Sequence, residues 1–230
     1  MELTRLTPRR IAGALKRRLW HRCEMLIYVC SAERISAFPN PRRCARDRWD
    51  DLQACDTWSY GHMSREQYLA HLEERRRTPG NHLYSMVEDG VLIHYGWLTG
   101  RQERSTDGQI GLVFMPPRGS AALWDYFTHP IARGRGLYRD SLWQCLHDAV
   151  EIEGAHQVFI GVYADNPVSR HVIEKAGFEY YGSLVLERRF LRERRYAVSA
   201  QTPLDVRLLS SDRAAPVVRA PVASAAGFGH

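Results

Sequence analysis

The sequence predicts a mixed α/β domain, and three observations carry that reading. An apolar run from Ala121 to Phe127 reads as a buried strand, and a glycine loop (His129 to Tyr138, His-Pro-Ile-Ala-Arg-Gly-Arg-Gly-Leu-Tyr) follows it. After the loop come apolar residues at Leu137, Leu142, Leu146, Ala149 and Val150, which is helical spacing. Two β-type runs, His82 to Val87 and Val91 to Leu98, flank Glu88-Asp89-Gly90, and an Asp-Gly turn between such runs signals a hairpin. Gln157 to Tyr163 is a third strand-like run, followed by a short helical stretch. The resulting order is strand, helix, hairpin, strand, helix, strand, helix, strand, which gives a mixed sheet rather than a TIM barrel. A doubly wound dinucleotide fold would want a third glycine where Arg139 stands, and the chain before the loop carries too many hairpin signals for it.

Taken in order, residues 1–24 read as a basic amphipathic helix. Thr7-Pro8 opens it, Ile11, Leu15 and Leu19 form its apolar stripe, and Arg9, Arg10, Lys16, Arg17, Arg18 and Arg22 cover its polar surface. Such a face is either solvated or a contact for a membrane surface or nucleic acid. Leu26 to Cys30 is the first expected strand. Residues 36–62 are rich in Arg, Asp, Pro and aromatics without a clear period, apart from a helix expected through Arg46, Trp49 and Leu52. Ser64 and Gln67 stand at capping-box spacing before a helix that runs to about Arg77. Gln109 to Met115 suggests an edge strand before Pro116-Pro117. Pro167 to Lys175 reads as a helix with Asn166 near its cap and Gly177 ending it. Phe178 to Phe190 supplies a last hairpin or long strand. The main domain is therefore placed at 25–191, and 192–230 as a loosely ordered tail.

Composition narrows the function classes. The 230-residue chain carries a formal charge of +6, almost wholly from arginine, since Lys16 and Lys175 are its only lysines. A basic balance suits anionic ligands without choosing among them. Five cysteines, odd in number and without Cys-x-x-Cys spacing, argue against a zinc ribbon and a disulfide scaffold, and point to a reducing cytoplasm. No apolar run is long enough to span a bilayer, and Ile11 to Leu15 is too short for a secretory signal. Histidines, cysteines and carboxylates show no metal-ligand spacing, so no metal is expected. No helix-turn-helix, zinc or RNA-binding pattern interleaves the arginines with aromatics, so no nucleic acid is expected either.

The loop itself points to phosphate chemistry. Gly134 and Gly136 let the backbone turn sharply, so the amides of Arg135, Gly136, Leu137 and Tyr138 can converge on one spot at a helix N-terminus. Unpaired N–H groups and the helix dipole favour an anion there. Arg133-Gly134-Arg135-Gly136-Leu137-Tyr138 resembles the acyl-CoA pyrophosphate loop, R/Q-x-x-G-x-G/A, of the GNAT superfamily of N-acyltransferases. Asn166-Pro-Val-Ser169 through Ile173-Glu-Lys-Ala-Gly-Phe178 is similar to the same family's N-x-x-(A/S)-x-x-L-Y-E-K-x-G-F signature. The resemblance covers roughly Ser64 to Phe190. It implies a mostly antiparallel central sheet with helices on both faces, and a strand ending near Thr128 that splays from the strand at Phe159 to Tyr163. It also implies acetyl-CoA or another acyl-CoA as co-substrate, bound by Phe127, Thr128, Arg133 to Tyr138, Asn166 and Ser169. Two departures stand out: Tyr138 replaces the last small residue of the loop, and Ile173 stands where many members carry a tyrosine that acts as general acid.

The acceptor implied by the resemblance is a small-molecule primary amine, with an amino-sugar intermediate as one candidate, attacking directly in a ternary complex. Trp58, Tyr60 and His62 are candidate acceptor contacts by position, with packing as their other reading. Asp125 and His129 share one face of their strand by alternation; an acidic residue within an apolar run is a candidate base, acceptor anchor or salt-bridge member. Tyr163 and Tyr138 are the candidate stand-ins for the missing acid. Alternatives are a long-chain acyltransferase fed by acyl carrier protein, and a coenzyme-binding module without catalysis. A cytoplasmic protein, peripheral to the inner membrane face through its leading helix, fits these features, and a homodimer is compatible with them.

Overall fold

A computed structural model of the protein describes residues 20–57, 63–190, 192–200 and 204–219. The chain forms two compact units, Ile27–Ser105 with Pro116–Tyr180, and the segments before Ile27, Thr106–Met115 and from Tyr181 onward. The larger unit contains the end of β1 (Trp20–Ser31), a one-turn α1 (Ala32–Ile35), β2 (Ala45–Arg46), a 3-10 helix at Trp49–Ala54, α2 (Arg65–Arg76), β3 (Asn81–Glu88) and β4 (Val91–Thr99). The smaller unit takes β5 (Ser105–Asp107) from Thr106 on and β6 (Leu112–Met115), after which the larger resumes with β7 (Ser120–Thr128), a 3-10 turn at Pro130–Ala132, α3 (Leu137–Glu151), β8 (Gln157–Tyr163) and α4 (Pro167–Lys175). Its strands run in the order β1-β8-β7-β4-β3-β2. The β2–β3, β3–β4 and β4–β7 pairs are antiparallel and β7–β8 is parallel, so the sheet is mostly antiparallel.

Local chemistry explains the elements that the sequence predicts. The β3–β4 hairpin turns on Asp89 and Gly90, at φ 50° and 77°, the left-handed pair that a tight two-residue turn demands. Ser64 accepts from the Gln67 amide, and Gln67 accepts from the Ser64 amide in return, a complete capping box on α2. Asn166 caps α4 through the Ser169 amide, and Pro167 occupies its first turn.

Helices cover both faces of this sheet. Tyr68 and Leu72 of α2 are fully buried against Leu83, Tyr95, Trp97 and Phe127. Tyr84, the neighbour of Leu83, points the other way and donates to Asp148 of α3 at 2.8 Å. The buried Gln144 side chain of α3 bonds both the amide and the carbonyl of Cys44, at 2.8 and 2.9 Å. This tie fastens the stretch before β2 to α3.

The smaller unit contains β9 (Glu179–Arg189) from Tyr181 on, β10 (Arg192–Ser199), β11 (Asp205–Leu208) and β12 (Val217–Arg219). The order is β12-β10-β9-β1, with β9 and β10 an antiparallel hairpin and β10 parallel to β12. A separate small sheet has the order β11-β6-β5.

Four sequence expectations need correction. Residues 20–24 are strand, not the end of a helix, because β1 pairs with β9 in the sheet, where Arg22 and Glu24 also bond Glu187 and Ser183; residues 1–19 lie outside the described residues. Arg46 belongs to β2 rather than a helix, with Trp49–Ala54 a 3-10 helix. The edge strand expected at Gln109 to Met115 narrows to Leu112–Met115 and pairs with β11. The expected loose tail holds three strands, because β10 finds in β9 a full register of partners from Arg192 to Ser199.

Candidate functional site

Strands β7 and β8 pair only from Ser120 to Leu123 against Gln157 to Ile160. Beyond that point the two strands part, which is the splay that the resemblance implies. A bulge on the other edge of β7 accompanies it. Trp97 pairs with Trp124 and Tyr95 with Phe127, so Gly96 alone faces both Asp125 and Tyr126. Asp125 takes the left-handed conformation at φ 48° to absorb the extra residue. Gly96 is required because the Tyr126 ring lies over it: a Cβ there would sit 2.2 Å from the ring.

The bulge decides which side chains face which helix. Trp124 stacks on Trp97 with ring centres 5.3 Å apart, and the Asp125 carboxylate is bonded by Arg75 of α2. The Arg75 guanidinium in turn lies 4.8 Å from the Trp124 ring centre, a cation–π contact. Tyr126 and Thr128 point to the opposite face. Tyr126 packs 4.9 Å from the Tyr138 ring centre, and its buried hydroxyl has no hydrogen-bond partner among the described residues. Burial pushes that phenol well above its usual pKa.

The loop after β7 forms a cradle. His129 accepts from the Ile131 amide at 3.3 Å, and Gly134 and Gly136 adopt φ 78° and 76° before α3 begins at Leu137. No side chain caps the first turn of α3, so its amides stand open to a ligand. They border a cavity of about 590 Å³. Its walls include Arg133, Arg139, His171 and Lys175 but no carboxylate among the described residues, so the potential inside favours a polyanion.

Of the residues expected to bind the coenzyme, Phe127, Thr128, Arg133, Gly134, Gly136, Leu137, Tyr138, Asn166 and Ser169 all line this cavity. The Arg135 side chain does not: it forks onto Glu88 at 2.6 and 2.9 Å, ties the loop to the β3–β4 hairpin, and holds that carboxyl below its usual pKa. The Tyr138 ring is half-buried in the cavity wall beside Tyr126 and His94, and its hydroxyl meets the Ser169 hydroxyl at 3.0 Å, linking the first turns of α3 and α4. Burial pushes its pKa up to about 12, against the lowering effect of the Ser169 bond.

The remaining candidates sit elsewhere. Asp125 and His129 do share a face, as alternation predicts, but it is the face of α2, and neither borders the cavity. His129 Nε2 lies 3.2 Å from Asp56. Tyr163 is half-buried at the end of β8 and is not part of the cavity wall. Ile173 is fully buried. Trp58, Tyr60 and His62 lie outside the described residues. Among the described residues no group of His, Cys, Asp or Glu is arranged to hold a metal ion.

Sequence reasoning missed His94, Tyr126, Arg139, His171 and Lys175. The last two were accessible to it: Val168, Ser169, His171, Val172 and Lys175 form one α4 face at helical spacing, and all line the cavity. His94 is fully buried on β4 with Nδ1 2.9 Å from the Thr128 hydroxyl, and burial pushes its pKa down to about 3, so the ring is neutral.

A family model described as an acetyltransferase (GNAT) domain matches residues 39–179, more than half of the 230-residue chain. No curated protein matches it. Among solved structures, a functionally unknown conserved protein from Staphylococcus epidermidis aligns with a TM-score of 0.52 at 10% identity, over 76% of this chain and 65% of that one. A protein from Novosphingobium aromaticivorans described as an acetyltransferase of the GNAT family gives 0.47 at 15% identity, over 72% and 63%. An aminoglycoside N-acetyltransferase in complex with CoA gives 0.44 at 17% identity, over 59% and 90%. This chain thus spans just under two thirds of the length of the first two structures.

Proposed function

The chain belongs to the GNAT acetyltransferase family, and from that premise we propose that it transfers an acyl group, acetyl in the first place, from acyl-CoA to the primary amine of a small molecule. The observation that carries the reading is the cavity where the open first turn of α3, the parting of β7 from β8 and a carboxylate-free basic wall coincide. A coenzyme A pyrophosphate suits the amides from Arg135 to Tyr138, with Arg133, Arg139 and Lys175 supplying charge around it. The ladder between β7 and β8 ends at Leu123 and Ile160, and the gap beyond it suits the amide-rich pantetheine arm.

The bound thioester supplies an already activated acyl group, so the protein contributes position and proton management. The bulge at Asp125 fixes the end of β7, and the Arg75–Asp125 pair with the two stacked tryptophans fixes the bulge. We assign Asp125 this positioning role. Ile173 offers no proton. Tyr138 delivers its hydroxyl to Ser169, one helical turn ahead of Ile173 on α4, and of the two phenols in the cavity wall, Tyr126 and Tyr138, it is the one that would hand a proton to the leaving sulfur. The amine arrives neutral, and the proton it sheds on forming the amide returns the Tyr138 phenolate to phenol.

Calorimetry with CoA and a thiol-release assay with acetyl-CoA over a panel of small primary amines test the proposal. Saturable CoA binding and amine-dependent thiol release are expected. Absence of CoA binding by folded protein would remove the proposal altogether, and binding without release for any amine would favour a coenzyme-binding module.

A further inference from the structure

The smaller unit carries a second basic surface that the acyl-transfer site does not use. At the turn of the β9–β10 hairpin, Arg189 pairs directly with Arg192, and Glu187 with Arg194. The alternation of strand side chains puts all four on one face. Glu187 is already bonded by Arg22 of β1, at 3.2 Å. Arg189, Arg192 and Arg194 have no acidic partner among the described residues, whereas Arg188 and Arg195 on the opposite face share Glu193. Two arginines set directly across a ladder repel each other, so their placement opposite one another is not explained by strand pairing. Large apolar side chains accompany them: Phe190 at the turn is 70% exposed, and Trp20, under the Arg189 guanidinium at 5.7 Å, is 57% exposed.

We propose that this hairpin face docks the protein on an anionic phospholipid bilayer. Arginines beside a protruding Phe and Trp match the interface, where aromatic rings sit at headgroup level and guanidinium groups meet phosphates. The chain leading into Trp20 supports the same partner. Its residues 1–19 carry Arg5, Arg9, Arg10, Lys16, Arg17 and Arg18 against the single acid Glu2, so like charge disfavours that segment as cover for the patch. Ile11, Leu15 and Leu19 at helical spacing suit an acyl boundary, and a nucleic acid has no use for such an apolar stripe. Docking here would hold the acyltransferase at a membrane surface.

Flotation of the full chain with vesicles tests this, comparing phosphatidylcholine alone with phosphatidylcholine containing phosphatidylglycerol. Binding is expected only to the anionic vesicles and should fade as salt rises. Replacing Arg189, Arg192 and Arg194 together by Gln should weaken it by up to about 100-fold, from about 1 kcal/mol per basic residue near such a surface. Phe190→Ser alone should weaken it measurably, and circular dichroism checks that each variant is folded. Failure of the wild-type protein to bind anionic vesicles overturns the proposal, as does undiminished binding by the folded Phe190 and triple-arginine variants. Tight binding to a DNA or RNA duplex without vesicle binding would reassign the face to nucleic acid.

Discussion

Replacing Gly136 separates the two things the cradle needs, a left-handed backbone and an open positive field. Gly136 sits at φ 76°, and a Cβ there would meet nothing closer than the Arg139 guanidinium at 3.6 Å. The space is therefore free, and any L-residue pays mainly in backbone strain, about 1–2 kcal/mol. Asn and Asp tolerate that conformation better than other side chains and have nearly the same shape. Gly136→Asn and Gly136→Asp should thus cost similar stability and differ by one negative charge. At about 5 Å from a phosphate oxygen, that charge opposes binding by about 0.8 kcal/mol at a water-like dielectric and about 3 kcal/mol at an effective value near 20. The Asp variant should therefore bind CoA between about fourfold and a few hundredfold more weakly than the Asn variant, and the gap should shrink in high salt. Calorimetry with CoA on both variants, with melting curves to confirm equal stability, reads the difference directly. Equal affinities in two equally stable proteins would show that the phosphates do not lie on these amides.

Three further outcomes follow from the same geometry. Gly96→Ala would push a methyl into the Tyr126 ring, so a loss of about 1–3 kcal/mol in urea unfolding and weaker CoA binding are expected; unchanged stability would mean the bulge is not packed as described. Asp125→Asn keeps a residue suited to φ 48° but removes the charge bonded to Arg75, so stability should fall by about 1–3 kcal/mol while turnover per folded molecule stays within about tenfold of wild type. A loss of about 10²–10⁴ in turnover at full stability would instead make Asp125 a general base. With Tyr138 raised to about 12 by burial, its phenol stays protonated through the assay range, so kcat should rise through an acidic limb and remain level past about pH 10, where a free tyrosine ionises. Tyr138→Phe should lower that plateau, and a descending limb near pH 10 in the wild type would point to a different acid.

Much of the larger unit was legible in the sequence because its signals are local. An Asp-Gly pair between β-type runs, Ser64 with Gln67, Asn166 before Pro167, and glycines ahead of an amphipathic helix each satisfy backbone groups within a few residues, so neighbours alone decide the outcome. The same holds for the loop before α3, whose cradle amides come from four consecutive residues. Tertiary structure decided the rest. Whether Asp125 faces the coenzyme or α2 depends on a bulge that exists because Gly96, twenty-nine positions earlier, leaves room for the Tyr126 ring. The strand identity of Trp20 to Glu24 and of Arg192 to Ser199 depends on hydrogen-bond partners in β9, since a strand, unlike a helix, cannot satisfy its own backbone. Sequence periodicity records which faces are apolar. Which distant segment covers them, and which of two faces an unpaired charge then reaches, is settled only when the sheet assembles.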